Sequence, residues 1–407
     1  MSINRGSTVA RGIELIFLLG MLVAIAPVSI DTYTPSLPTI ADALGVSSGT
    51  IGYSLSAFFF GLACGGAFWG PLSDRFGRRP ILFAGFTVFL LASTACALAH
   101  SVPTLIVARA VQGLAAAAMP AAGLATTRDV WSGDRAARAI SFIMLVLGIA
   151  PLVAPLIGGQ LLAHFGWRSV FWFMSGYAVM ALLVVWLRLP ETHGPERRSG
   201  VRVAAAFRAY GYLLTDLRVW LYLLCGGMGF AALFAYVTGI PFIYIDLFKV
   251  NPQYFGFLIG INVIGTMAGT WLNGQLVTRY GSDRMLAAGI VISAIGMAAF
   301  FACATIGVNS LAAIVATLFI GLAPVPMIGA NTVAGLMNLY PQNAGTCSAL
   351  FGIAQYGLGS LGGVVVSTLY AGTPLALAWV TLGCIVIALL ARLGLHVIRD
   401  RLHADRV

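Results

Sequence analysis

Residues 70–82 read GPLSDRFGRRPIL, and residues 274–284 read GQLVTRYGSDR. Gly70, Leu72, Arg75 and Gly77 fall on Gly274, Leu276, Arg279 and Gly281 at a constant offset, with Thr278 where the first copy has Asp74. Each copy fills the charged break between the second and third long apolar run of its half. A motif repeated at matching topological positions divides a chain into two related halves, a pattern typical of secondary transporters. Within the first copy, the glycines permit a tight turn and close approach of the flanking helices. Asp74 can pair with neighbouring arginines, and an ionic latch of this kind holds one conformation and releases in another. By composition alone the same residues read as an ordinary basic loop; their order is what argues for a latch.

The rest of the sequence agrees with a membrane setting. Hydrophobic residues make up 59% of the 407 and charged residues 9%, against about 25% charged in soluble proteins. Apolar runs long enough to cross a bilayer recur from end to end, which excludes a β-barrel, whose strands are segments of ~10 alternating residues. Twelve spans are predicted, at 13–38, 50–71, 80–98, 103–127, 138–162, 167–189, 217–239, 255–276, 284–304, 309–336, 345–369 and 374–396. The start of the chain also has the layout of a signal peptide, with Arg5, Arg11 and Ala24-Ile25-Ala26. Pro27 is a poor place to cut, and an even count needs this helix, so it is read as span 1.

Of 23 arginines and lysines, twenty fall on the side of the termini, Arg168 and Lys249 fall on the other, and Arg109 lies inside span 4. That bias places both termini in the cytoplasm and accounts for the net charge of +10 without nucleic acid. The polar stretch 191–216 separates a six-helix bundle at 1–190 from a second at 217–407 with a short tail, and residues 201–214 suit a short interfacial helix. The six cysteines are scattered with no CxxC pair, and no HExxH occurs, so neither a metal nor a cofactor is expected.

GPLSDRFGRRP resembles the loop 2–3 signature of the major facilitator superfamily. LIVARAVQGLAAA (105–117) looks like that superfamily's span 4 motif, and GIAPLVAPLIGG (148–159) like its antiporter span 5 motif, with Ala154-Pro155 for the usual Gly-Pro. SIDTYTPSLP (29–38), TTRDVWSGDRAARAISFIMLVLGIAP (126–151) and FGWRSVFWF (165–173) resemble the bicyclomycin- and chloramphenicol-resistance (Bcr/CflA) subfamily of drug:proton antiporters. The resemblance is dense in the first half; the second half shares only the topology and the decayed loop. It implies an all-α fold of two pseudo-symmetric bundles in the bacterial inner membrane, working as a monomer with protons and a small lipophilic substrate as partners.

On that resemblance Asp31 becomes the proton carrier and Arg109 a buried coupling cation. A charge inside the membrane costs about 2.5–3.5 kcal/mol on insertion scales and calls for a partner. The plainer alternatives are an interfacial carboxylate and a static structural cation. Some relatives carry a second acid two turns before the aspartate; here Val23 stands there. Gly70, Asp74, Arg75, Gly77, Arg78 and Asp129 are assigned to the latch, and Gly148, Pro151, Pro155, Gly158 and Gly159 to the bending antiporter helix or simply to tight packing. Tyr33, Tyr53, Phe58, Gln112, Met144, Tyr236, Asn262, Asn331 and Gln355 are candidates to line a substrate cavity or to bond between helices. Uptake symport, a channel and a membrane-embedded enzyme are the rival readings; no GxxxxGK[ST], GxSxG or carboxylate cluster is present.

Overall fold

The computed structural model describes residues 15–194, 196, 203–308 and 310–404. Arg5, Arg11, Glu14, the linker arginines at 197, 198 and 202, and Arg406 lie outside them. No strand occurs among the described residues, and helices cross at twelve places. Span 1 is a bent pair, Leu15–Val23 and Ile25–Ala43, meeting at 43°. The others are Ser48–Phe76, Arg78–Ala97, Val102–Val130, Gly133–Phe165, Arg168–Arg188, Leu217–Leu247, Pro252–Tyr280, Ser282–Ile306, Leu311–Leu339, Pro341–Leu369 and Leu375–Arg399.

Proline chemistry accounts for the breaks. Pro27 has no N–H for the carbonyl of Val23 and crowds it, and span 1 bends there. In span 4 the helix breaks at Ala117, where Pro120 cannot bond Ala116; in span 10 it breaks at Ala323–Pro324. Several spans outrun their predicted ends: 138–162 becomes Gly133–Phe165. Helical hydrogen bonding continues past the apolar window until a glycine stops it, as at Gly77, Gly166 and Gly281, all with positive φ. On the face away from the linker, Ser47, Ser101, Asn251 and Ser310 cap the helices that start there. The short helix of the linker runs from Val203 to Leu213.

Within the first half, spans 2 and 4 touch backbone to backbone. A methyl on Gly61 would meet the carbonyl oxygen of Ala110 at 2.1 Å, and one on Gly113 that of Phe58 at 2.0 Å. Only glycine permits this crossing. The halves join where span 2 crosses span 11 and span 5 crosses span 8. Both seams are tight away from the linker and widen toward it. Along spans 5 and 8, a methyl on Gly159 would sit 2.5 Å from the Pro252 carbonyl, and one on Gly148 3.9 Å from Met267. Along spans 2 and 11, the same test gives 2.3 Å from Gly52 to Ser367 and 3.9 Å from Gly357 to Ala63. The hydrogen bonds between halves (Ser48 to Asp246, Tyr53 with Thr368, Ser360 to Ser56 and Gln253 to Gln160) also lie in the far half of the helices.

Candidate functional site

Asp31 ends the first helical piece after the bend in span 1. Pro35 cannot donate to its carbonyl, and the Thr34 hydroxyl does so instead at 2.9 Å. The chain thus turns at the aspartate without losing a backbone bond. The Asp31 side chain is buried and makes no ion pair with any described residue. It lies within electrostatic range of Tyr236 of span 7, in the other half. There the hydroxyl of Tyr236 accepts from Asn262 of span 8 at 2.9 Å, with Tyr244 alongside. A buried carboxyl of one half thus lies within electrostatic range of a tyrosine of the other, itself bonded to an asparagine.

Arg109 is fully buried, as expected, and the partner that its charge calls for is not a carboxylate. Its Nη1 donates to Gln112 Oε1 at 2.6 Å, and Gln112 Nε2 donates to Ser93 Oγ at 2.7 Å. The guanidinium is sandwiched between the rings of Tyr33 and Phe58, at 4.4 and 4.2 Å from their centroids. A desolvated cation–π contact is worth about 2 kcal/mol, so two offset an insertion cost of about 2.5–3.5 kcal/mol. Nε and Nη2 have no hydrogen-bond partner, and the rings are what hold that edge of the cation. The Tyr33 hydroxyl is fixed by Ser54 at 2.7 Å. Asp31 and Arg109 thus share the Tyr33 segment but not a bond: the acid faces the seam and the cation faces the interior of its own bundle. Phe58 and Gln112, assigned to a substrate wall, are parts of the Arg109 shell in this structure.

The remaining cavity candidates scatter. Tyr53 reaches Thr368 across the far seam at 3.0 Å. Asn331 donates to Asn273 at 2.7 Å within the second half. Met144 is exposed on the linker half of span 5, and Gln355 is half-buried on span 11. The sequence reading passed over the role of an aromatic run across the seam: Phe59 meets Phe234 at 4.3 Å, and Phe234 stacks on Tyr356 at 5.5 Å. On span 5, a methyl on Gly158 would strike the Thr32 carbonyl at 2.1 Å, while Gly159 faces Pro252. These glycines hold span 5 against span 1 on one side and span 8 on the other. Pro151 and Pro155 lie inside one continuous helix.

Loop 2–3 assembles most of the predicted latch. Arg78, 8% exposed, bonds Asp74 at 2.6 Å, Asp129 at 3.0 Å and Ser73 at 3.0 Å. Arg75 stands apart, over the ring of Phe76. Gly70 has open space around its α-carbon, so it mediates no close helix approach here. Gly77 does, with φ 102° and no room for a methyl beside Glu191. Glu191 was not foreseen. Its Oε1 accepts from the Arg78 and His193 amides at 3.0 and 2.9 Å, and Oε2 from the Arg79 amide at 3.2 Å. Gly77 has no side chain to cap span 3, and Glu191 supplies the cap from the start of the linker. The signal was an acid at the head of a basic linker.

The sequence profile of the Major Facilitator Superfamily matches residues 17–364. The chain is 32% identical to the bicyclomycin resistance protein homolog of Haemophilus influenzae, over 92% of this chain and 94% of that one. It is 27% identical to the chloramphenicol resistance protein of Pseudomonas aeruginosa, over 92% and 89%. Among solved structures, a peptide transporter in complex with alafosfalin superposes with a TM-score of 0.76 at 15% identity, covering 95% of this chain and 94% of that one. That likeness is one of fold. Two helical bundles joined at paired crossings, the family profile across most of the length and these relatives lead to one assignment: the chain is a multi-pass membrane transporter, not an enzyme, and belongs to the major facilitator superfamily, in its bicyclomycin- and chloramphenicol-resistance branch.

Proposed function

We propose that this protein exports small lipophilic compounds in exchange for protons, with Asp31 carrying the proton. The observation that carries the reading is a buried carboxyl with no cation of the described residues paired to it, within electrostatic range of Tyr236 of the other half. A carboxyl so placed changes its surroundings whenever the bundles move apart, which is what a carrier loaded on one side and unloaded on the other requires. The drug-resistance names of the relatives support the direction and the chemical class of the cargo. Arg109, stabilised by rings rather than by Asp31, serves as a fixed cation behind Tyr33. Residues 1–190 and 217–407 rock against each other about the far seam, tethered by 191–216.

We place the linker and both termini in the cytoplasm, on the bias of basic residues toward that side. Seams that are tightest on the far side then leave the linker side as the one that opens to take cargo from the cytoplasm. A cysteine at 249 is expected to react with an impermeant maleimide on intact cells, and one at 216 only after permeabilisation; the reverse pattern would overturn the orientation.

The coupling test uses everted vesicles with a preformed pH gradient, and chloramphenicol and bicyclomycin as probes. Addition of a transported probe dissipates the gradient in the parent protein. Asp31→Asn keeps the size and bonding of the side chain but carries no proton, and dissipation is lost while probe binding is retained. Proton exchange at the parent rate in this variant would remove Asp31 from the mechanism.

A further inference from the structure

We propose that the linker-side ends of spans 9 and 12 form a binding site for one anionic phospholipid, the headgroup on a basic cluster and an acyl chain on the apolar wall above it. A cavity of about 650 Å³ opens there. Its polar end holds Asp283, Arg284, Arg392, His396 and Arg399. Arg392 Nη2 and Arg399 Nη1 both bond the same oxygen of Asp283, at 2.7 and 2.9 Å, and Arg399 Nη2 lies 3.4 Å from His396 Nδ1. Three arginines thus line a pocket with one carboxylate, an excess of two positive charges with the histidine neutral. Arg392 is mostly buried, and its Nε–H has no hydrogen-bond partner. The excess of arginines over carboxylates among the lining residues calls for an anion.

The other end of the cavity decides which anion. Ala287 and Val291 stand one turn apart on span 9, and Leu389 and Leu393 one turn apart on span 12, continuing the cavity toward the membrane interior. Val291 is 47% exposed and Leu393 52%. A free phosphate would satisfy the arginines and leave this wall uncovered. A phospholipid of the same leaflet satisfies both, and basic pockets between helices at a membrane face take lipid headgroups for this reason. Arg284 and Tyr280 also border a second apolar hollow, between spans 8, 9 and 10, which extends the surface available to acyl chains. The site lies outside the seam between the halves and uses none of the residues assigned to proton coupling, so it stands or falls independently of the proposed export.

The test is lipid retention by the purified full-length protein, followed by native mass spectrometry through stepwise delipidation. Phosphatidylglycerol is expected to be retained over phosphatidylcholine as a single tightly held molecule. Arg284→Gln and Arg399→Gln are each expected to weaken retention about fivefold, the contribution of one arginine near an anionic surface. Val291→Trp fills the apolar wall without altering charge and is expected to lower retention as well, which separates binding from any loss of structure in the arginine variants. Equal retention of the two lipids overturns the proposal, as does unchanged phosphatidylglycerol retention in the three variants. Displacement of phosphatidylglycerol by inorganic phosphate at equal concentration would show an anion site indifferent to the apolar wall and would also overturn it.

Discussion

Loop 2–3 and loop 8–9 carry one motif and end one helix in the same way, on Gly77 at φ 102° and Gly281 at φ 81°. The charges that hold them are opposite in sign. In the first half a single cation, Arg78, sits between two carboxylates, Asp74 and Asp129, and is nearly sealed from solvent. In the second half a single carboxylate, Asp283, 36% exposed, sits between two arginines, Arg392 and Arg399. The first loop is tied through Glu191 to the linker, and the second directly to the last span. A repeated motif thus conserves backbone shape, which only glycine permits there, while its ionic partners differ. The first cluster joins two loops of its own half to the start of the linker; the second joins a loop to the last span.

The contrast can be broken by experiment. The largest difference is expected from neutralising the more buried arginine of each cluster. Arg78→Gln strands two carboxylates in a partly buried cluster and is expected to cost about 3 kcal/mol. Arg392→Gln leaves Asp283 its second arginine at a half-open site and is expected to cost under about 1 kcal/mol. Reversible unfolding in mixed micelles measures both, and equal costs would show that the two clusters are energetically alike.

The glycines come next. Both occupy a backbone region costly to any other residue, by about 1–3 kcal/mol, but a methyl at Gly77 also meets Glu191 at 2.5 Å, whereas at Gly281 it meets nothing within 4 Å. Gly77→Ala is therefore expected to destabilise by about 1 kcal/mol more than Gly281→Ala, the worth of a displaced helix cap. Its linker is expected to be cut faster by protease. If both variants resist proteolysis equally, Glu191 does not pin the linker.

The smallest effect separates motion from stability. Asp74 is 54% exposed, and Asp74→Asn is expected to change stability by under about 0.5 kcal/mol. If its charge biases the bundle equilibrium, transport falls about tenfold, equivalent to about 1.4 kcal/mol, while probe binding holds. Asp283→Asn, in the cluster of the second half, is expected to lower transport far less. A normal transport rate for Asp74→Asn would reduce the residue to a loop position.

Much of this architecture was legible from the chain. The twelve crossings, the paired halves and the burial of Asp31 and Arg109 follow from hydropathy, and the loop motif marked where Arg78, at the start of span 3, would find Asp74, at the end of span 2. The misreadings cluster where a partner comes from afar. Gly70 looked like its companion Gly77, yet only Gly77 faces another chain segment. Phe58 looked like a cavity wall, and Arg109 lies over it.

Membrane crossing is a sum over residue types along one stretch, each residue adding its own transfer cost. No partner needs to be known, and the sequence by itself therefore determined the spans and the membrane class. The rest depends on which faces of helices meet at distances of a few ångströms. Only the tertiary structure decided that two rings and Gln112, not Asp31, hold Arg109, that Glu191 caps a helix more than a hundred residues away, and that the seams are tightest away from the linker. Short-range forces such as hydrogen bonds and cation–π contacts vanish with a small shift in helix rotation or crossing, and neither is written in the hydropathy of a span.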